Sequence, residues 1–132
     1  DVLKVEHIIV CGHYSCGGVE AALRNDQFGL IDNWLRHVQD VRNKHRGLIE
    51  AAGDFQAQSA RLCELNVIEQ SLNVAQTTIV RQAWERGQQL TVNGLIYGLK
   101  DGLLQDLQLR INSSASLDAQ YELALQGLNK KK

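Results

Sequence analysis

The spacing of hydrophobic and polar residues changes along the chain, and each change predicts a new element. The run His7-Ile8-Ile9-Val10 is apolar without polar alternation, which favours a parallel strand covered on both faces. Apolar residues then recur at helical spacing in several longer segments. Helices are predicted over 19–24, from about 30 to 51, from about 59 to 86 with a break at Thr77 and Thr78, and from 117 to about 128.

The pattern near the C-terminus predicts a β-hairpin. Apolar runs over 90–99 and 103–111 flank an Asp-Gly pair at 101 and 102, which is a strong turn signal between strands. Other signals concern the ends of elements. Residues 1–5 look like the tail of a helix, Gly87 suits a helix C-cap, and Ser116 can cap the last helix.

The predicted elements indicate an α/β fold with one parallel strand, a C-terminal hairpin and long flanking helices. A parallel strand buried on both faces needs neighbours on both edges, joined by crossovers of a dozen or more residues. One such strand and one hairpin cannot cover the apolar faces of so many helices. We therefore expect residues 1–132 to form a single, incomplete domain, namely the later part of an α/β fold that begins upstream.

Composition narrows the classes of function. The chain has 132 residues with 14 basic and 15 acidic residues interspersed, so we expect no basic face and no nucleic-acid partner. No apolar run approaches the roughly 20 residues of a membrane-spanning helix, and we expect no membrane partner. Three cysteines are an odd count without a disulfide framework, which favours a reduced, cytoplasmic protein. Lys130-Lys131-Lys132 is interpreted as a solvated tail.

The candidate chemistry follows the first strand, in Cys11-Gly12-His13-Tyr14-Ser15-Cys16-Gly17-Gly18. Imidazole and thiolate are preferred zinc ligands, and the carboxyl end of a parallel strand is where α/β folds place ligands. His13 and Cys16 therefore suit half of a zinc site, although this spacing alone is common. Cys11 could face the same way as His13 in an extended strand. A small buried hydrophobe is the alternative interpretation of Cys11, and also of Cys63.

The longer string HIIVCGHYSCGGV over residues 7–19 closely resembles the β-class carbonic anhydrases, in particular those of bacterial type. The resemblance continues in register over about 100 residues. Its further segments are LIDNWL at 30–35, LNVIEQ at 65–70, AWERGQ at 83–88 and VNGLIYG at 92–98. This resemblance implies a β-carbonic-anhydrase fold, of which the chain would be the C-terminal portion.

The resemblance also implies a function and a set of site residues. The family is a zinc-dependent lyase that hydrates carbon dioxide reversibly to bicarbonate, with hydroxide formed from zinc-bound water. His13 and Cys16 match two zinc ligands, and a homo-dimer or tetramer is expected. Gly17 and Gly18 match the carbon dioxide pocket, although a tight turn into a helix explains them equally well. Tyr97 matches a tyrosine beside a regulatory bicarbonate in bacterial members, although a structural tyrosine on a half-buried strand is an equal alternative.

The chain departs from the family where the remaining zinc ligand is expected. In the family, a Cys-x-Asp-x-Arg motif supplies the third ligand and an Asp–Arg pair that orients the water. None of the three cysteines here begins such a motif, so we expect no catalytic residue within 1–132 and no activity from this chain alone. Two alternatives remain open. One is a catalytically dead scaffold or oligomerisation fragment, and the other is a zinc module with Cys11 as third ligand.

Overall fold

The computed structural model describes residues 1–130, and Lys131 and Lys132 of the predicted tail lie outside the described residues. The elements are β1 (His7–His13), α1 (Gly17–Arg24), α2 (Asp32–Lys44), α3 (Arg46–Glu50), α4 (Phe55–Ala75), α5 (Thr78–Glu85), β2 (Thr91–Tyr97), β3 (Leu104–Ile111) and α6 (Leu117–Lys130). This order confirms the predicted α/β class. None of the described helices has both the length and the apolar character needed to cross a membrane.

The strands of the described part form one sheet in the order β1-β2-β3. β1 and β2 run parallel, with His7 opposite Thr91 and His13 opposite Tyr97. β2 and β3 run antiparallel, and Gly102 in the turn between them adopts a left-handed φ of 71°. The predicted parallel strand and the predicted hairpin are both confirmed.

Helix α4 lies at the centre of the core. It packs against β1 and β2 on the sheet side, and against α1, α2, α3 and α6 on its other sides. Because α4 is surrounded, its buried residues are not confined to one face, and Leu62, Leu65 and Ile68 are completely buried. Helix α6 packs against β3 beside α4. These two helices close one face of the sheet.

The opposite face of the sheet is open within residues 1–130. The side chains of β1 alternate between exposed and half-buried, and Ile9 on the outer face is 59 % exposed. For the described part of the chain, the prediction that this strand is covered on both faces is therefore wrong. A β-branched run cannot show which face is covered, because such residues suit either side of a strand.

Two helix predictions also differ from the structure. Residues 1–5 form no helix, and Val2 and Leu3 are exposed, since their apolar side chains find no core to pack against. The helix predicted over 30–51 is two helices, because the backbone at His45 leaves the helical region with φ −115° and ψ 25°. This bend places the His45 side chain in the core, where it contacts Glu69 of α4.

The start of α4 and the break after it follow from capping side chains. Asp54 accepts a hydrogen bond from the amide of Ala57 at 2.9 Å, so α4 begins at Phe55 rather than near residue 59. Thr77 caps α5 by accepting a bond from the amide of Val80, which confirms the predicted break.

Capping residues also mark the end of α5 and the turn before α6. Gly87 follows α5 with a left-handed φ of 73°, as predicted for a glycine at a helix C-terminus. Before α6, the side chains of Ser113 and Ser116 form a reciprocal capping box around a 3-10 turn. Ser113 therefore caps the 3-10 turn, and a cap of α6 by Ser116 stays a prediction.

Candidate metal centre

His13 is the last residue of β1, so its side chain lies at the carboxyl end of a parallel strand. Nδ1 of its exposed ring lies 2.9 Å from the carbonyl oxygen of Tyr14. When Nδ1 donates its proton to that carbonyl, the lone pair of Nε2 is free to bind a metal ion. The hydrogen bond thereby favours the tautomer that a metal ligand needs.

Cys16 is the N-cap of α1, with an extended backbone at φ −79° and ψ 116°. Its thiol makes no capping hydrogen bond, while its carbonyl oxygen accepts a bond from the amide of Glu20 at 2.9 Å. The side chain is partly buried against the core. The sulfur of Cys16 thus lies at the start of α1, next in sequence to the loop that carries His13, and sulfur is a preferred zinc ligand.

Tyr14 and Ser15 connect the two candidate ligands. The Tyr14 amide donates to the carbonyl oxygen of Tyr97 at 3.0 Å, and its phenol donates to Oε1 of Glu64 at 2.7 Å. Burial raises the pKa of Tyr14 well above its ordinary value, and the bond to Glu64 adds to this effect, so the phenol stays protonated. Ser15 adopts a left-handed φ of 56°, which is uncommon for a residue with a side chain.

The donor set fits zinc in kind but is incomplete in number. Imidazole nitrogen and thiolate sulfur are preferred zinc ligands, and zinc sites take three or four ligands from the protein. Within residues 1–130, no three His, Cys, Asp or Glu side chains are grouped closely enough to hold a metal ion. Cys11 is exposed on the outer face of β1, and its thiol lies 3.4 Å from the carbonyl oxygen of Gly12. The structure therefore does not bring Cys11 together with His13 and Cys16.

The third cysteine is a core residue. Cys63 lies on α4 and is buried among apolar side chains, as predicted. Burial raises the pKa of its thiol to about 11, so the thiol is protonated at neutral pH. A protonated, enclosed thiol packs as a small hydrophobe, which agrees with the core interpretation of Cys63.

The two predicted pocket glycines open helix α1. A Cβ placed on Gly17 would meet no atom within 4 Å. A Cβ placed on Gly18 would lie 3.5 Å from Leu35 and 3.9 Å from Sγ of Cys16. Gly18 thus borders a candidate ligand, and the role of both glycines in a carbon dioxide pocket stays a prediction.

Tyr97 ends β2 next to the candidate site. It lies opposite His13 in the parallel register and is half-buried. Its carbonyl oxygen accepts the hydrogen bond from the Tyr14 amide, so its backbone supports the loop that joins His13 to Cys16. The predicted contact of its side chain with a regulatory bicarbonate stays a prediction.

Sequence reasoning missed the contact between Tyr14 and Glu64 that supports this loop. Glu64 is only 7 % exposed, and its Oε2 lies 3.5 Å from Nε of Arg61. Glu64 and Tyr14 are 50 residues apart in the sequence, so no local pattern pairs them. One signal was present, because a charged residue inside the apolar run Leu62-Cys63-Glu64-Leu65 needs a polar partner when the helix is buried.

The parallel strand β1 ends in His13, and Cys16 is the N-cap of the helix that follows. This arrangement defines an α/β protein with a candidate metal-binding loop. The family model described as carbonic anhydrase matches residues 1–104. The chain belongs to the carbonic anhydrase family, and its structural relatives place it in the β class.

Individual relatives agree with this assignment. A carbonic anhydrase of Emericella nidulans is 46 % identical over 107 residues, which cover 81 % of this chain and 47 % of that protein. The β-carbonic anhydrase of Coccomyxa, solved with acetazolamide, has a TM-score of 0.83 at 31 % identity. The match covers 100 % of this chain and 62 % of the Coccomyxa chain. A tetrameric β-carbonic anhydrase of Sordaria macrospora has a TM-score of 0.74 at 32 % identity. That match covers 83 % of this chain and 55 % of the Sordaria chain.

These matches confirm the predicted β-carbonic-anhydrase fold and its partial extent. The chain spans about half the length of the curated relatives it matches. The narrower assignment to a bacterial type stays a prediction.

Proposed function

We propose that this chain provides the zinc-binding loop and the C-terminal part of a β-class carbonic anhydrase, which hydrates carbon dioxide reversibly to bicarbonate. The observation that carries the proposal is the position of His13 and Cys16 around the carboxyl end of β1, with Nδ1 of His13 engaged by the Tyr14 carbonyl. The family of the chain supports the same reaction.

Each residue of the loop has a distinct role in this proposal. His13 and Cys16 would hold zinc through Nε2 and Sγ. When bound, zinc would supply a water-derived nucleophile at neutral pH. Gly17 and Gly18 lack side chains and leave space beside Cys16 for a small apolar substrate. Tyr97 lies beside His13, where its phenol would contact a regulatory bicarbonate.

We further propose that the chain is inactive by itself. Residues 1–132 contain no Cys-x-Asp-x-Arg sequence, so the third protein ligand and the Asp–Arg pair have no counterpart here. In a stopped-flow assay, the zinc-loaded chain is expected to hydrate carbon dioxide no faster than buffer. A faster rate that disappears in His13→Ala would contradict inactivity while supporting the reaction.

Metal retention tests the ligand assignment. The chain is incubated with Zn²⁺, dialysed, and analysed for intact mass and zinc content. We expect less than stoichiometric zinc, which His13→Ala and Cys16→Ser abolish and the control Cys11→Ser leaves unchanged. Loss of zinc in Cys11→Ser would instead favour the module with Cys11 as third ligand. If both His13→Ala and Cys16→Ser retained as much zinc as the unsubstituted chain, the proposal would be contradicted.

We also propose that the chain assembles as a homo-dimer or tetramer. Phe28, Leu30 and Trp34 expose large apolar side chains near the start of α2, and exposed apolar clusters mark interaction sites. The Sordaria macrospora relative is described as tetrameric. Light scattering should give a multiple of the 14.7 kDa chain mass, and a monomer at all concentrations would contradict assembly.

The same exposed surface suits the alternative of an inactive scaffold, for which we expect no zinc retention that depends on His13 and Cys16. A cytoplasmic location, and the absence of nucleic-acid and membrane partners, stay predictions from composition.

A further inference from the structure

Tyr14 attaches the metal-binding loop to the core through a side-chain hydrogen bond. We infer that Tyr14 is a positioning residue, whose hydrogen bond to Glu64 holds His13 and Cys16 in the arrangement that binds a metal ion. The inference rests on the proposed function, because it assigns a role toward the same metal. Tyr14 itself does not bind the metal in this scheme.

Three hydrogen bonds converge on Tyr14. Its carbonyl oxygen faces Nδ1 of His13 at 2.9 Å, and its amide donates to the carbonyl oxygen of Tyr97 at 3.0 Å. Its phenol donates to Oε1 of Glu64 at 2.7 Å. The first bond orients a candidate ligand, the second ties the loop to β2, and the third ties it to α4. A movement of Tyr14 therefore changes the orientation of the His13 ring.

Glu64 is a fixed acceptor for the phenol. It lies on α4, the central helix of the core, and its side chain is almost completely buried. Oε2 lies 3.5 Å from Nε of Arg61, so the second carboxylate oxygen is engaged as well. A buried carboxylate with two partners has little freedom to move. The bond to Glu64 thus transmits the rigidity of α4 to the loop.

The backbone of the loop needs such support. Ser15, between Tyr14 and Cys16, has a left-handed φ of 56°, and a residue with a side chain keeps this conformation only where its surroundings enforce it. Without the phenol–carboxylate bond, the loop can relax towards a more ordinary backbone. Such relaxation would change the approach of His13 and Cys16 to one another before it changed the core.

The structure provides a matched control for this inference. Tyr121 on α6 also donates its phenol proton to a buried glutamate of α4, Glu69, at 2.5 Å. This second pair lies beside His45. Tyr14→Phe and Tyr121→Phe therefore remove the same type of hydrogen bond from the same helix, but only one of the two bonds reaches the metal-binding loop.

Binding of Co²⁺, a spectroscopic substitute for Zn²⁺, gives the first measurement. Titration of the chain is followed through thiolate-to-cobalt absorption. We expect Tyr14→Phe to weaken binding by about 10- to 100-fold, as is typical when a group that orients a ligand is lost. Tyr121→Phe is expected to bind as the unsubstituted chain does, although both variants lose thermal stability. Glu64→Gln keeps an acceptor for the phenol and should retain more affinity than Tyr14→Phe.

Hydrogen exchange of the metal-free chain gives a second measurement that needs no metal. Tyr14→Phe should speed amide exchange at residues 13–16, whereas Tyr121→Phe should leave these amides unchanged.

Equal Co²⁺ affinity and equal exchange in Tyr14→Phe and the unsubstituted chain would overturn the inference. Equal weakening by both variants would also overturn it, since the effect would then be one of general stability. Failure of the unsubstituted chain to bind Co²⁺ through His13 and Cys16 would overturn the proposed function instead, and exchange alone would then decide whether Tyr14 holds the loop.

Discussion

Gly12, the residue before His13, allows β1 to lie close against α4. A Cβ at this position would stand 2.5 Å from Cγ2 of Val67, well inside van der Waals contact. Val67 is itself buried in the core and cannot move aside freely. The absence of a side chain at Gly12 therefore sets the distance between the strand that ends in His13 and the helix that carries Glu64.

Gly12→Ala should lower the free energy of unfolding by about 1–3 kcal/mol, because the added methyl overpacks the core. The matched control is Gly47→Ala in α3, where a Cβ would meet no atom within 4 Å. This second change should be neutral or stabilise by about 0.5–1 kcal/mol, since alanine is the better helix former. Urea unfolding measures both effects, and equal stability of the two variants would contradict the close approach at Gly12.

The sequence predicted some residues of the candidate site and missed others for a definite reason. His13 and Cys16 were found because their spacing, the strand before them and the glycines after them are neighbours in the chain. Glu64 was missed because its partner Tyr14 is 50 residues away. A pattern of local residue types cannot show such a pair.

At the scale of elements, Glu69 of α4 connects three segments through one carboxylate. It accepts hydrogen bonds from Lys44 at 3.0 Å, His45 at 2.7 Å and Tyr121 of α6 at 2.5 Å. Burial raises the pKa of Glu69, but the hydrogen bonds from Tyr121, His45 and Lys44 outweigh burial and hold that pKa below its ordinary value of 4.5. The charged form of Glu69 therefore stabilises the packing of α6 and of the α2–α3 bend.

Acid should weaken this connection. Because the pKa of Glu69 is lower in the folded state than in the unfolded state, its stabilisation is present above about pH 4.5 and is lost as pH falls through the folded-state pKa. Glu69→Gln should lower the free energy of unfolding at pH 7 by about 1–3 kcal/mol, since a hydrogen bond to a charged group contributes this much. At acid pH the difference between the two proteins should shrink.

Urea unfolding at pH 7 and at a series of lower pH values measures this difference as Glu69 becomes protonated. Glu122→Gln removes an exposed carboxylate from α6 and serves as the control, for which little effect is expected at any of these pH values. A difference between Glu69→Gln and the unsubstituted chain that is the same at all of these pH values would contradict the linkage.

The prediction of elements succeeded where neighbouring residues decide the structure. The turn at Asp101 and Gly102 and the break at Thr77 depend on residues that cap or turn their own segment. The bend at His45 was not predicted, because it depends on a contact with Glu69, 24 residues further along. The apolar residues at 1–5 suggested a helix, but a helix needs a core against which to pack.

At the scale of the whole molecule, the sheet leaves an open face and an open edge within residues 1–130. β1 is the first strand of the sheet and carries the exposed residues Ile9 and Cys11 on its outer face. An unpaired strand edge with apolar side chains is a template for association with another chain. The chain alone is therefore expected to self-associate or to remain partly molten.

Ile9→Lys should reduce this self-association. Burial of one isoleucine contributes about 1.5–3 kcal/mol, so the dissociation constant should rise about 10- to 100-fold. The matched control is Ile79→Lys, because Ile79 on α5 is 60 % exposed and Ile9 is 59 % exposed. Sedimentation velocity over a range of concentrations measures the effect.

Only Ile9→Lys should shift the distribution towards monomer. A sharp cooperative melt of a monomeric, unsubstituted chain would contradict the expected association.

The sequence by itself determined the strand that begins at His7, the short helix that ends at Arg24, the C-terminal hairpin and the family of the chain. These features depend on hydrophobic period, capping residues, turn residues and motifs, which all lie within short segments. The tertiary structure decided which face of the sheet is covered, where α2 ends, and how Tyr14 is held by Glu64. These features depend on contacts between residues far apart in the chain, and only folding brings such residues together.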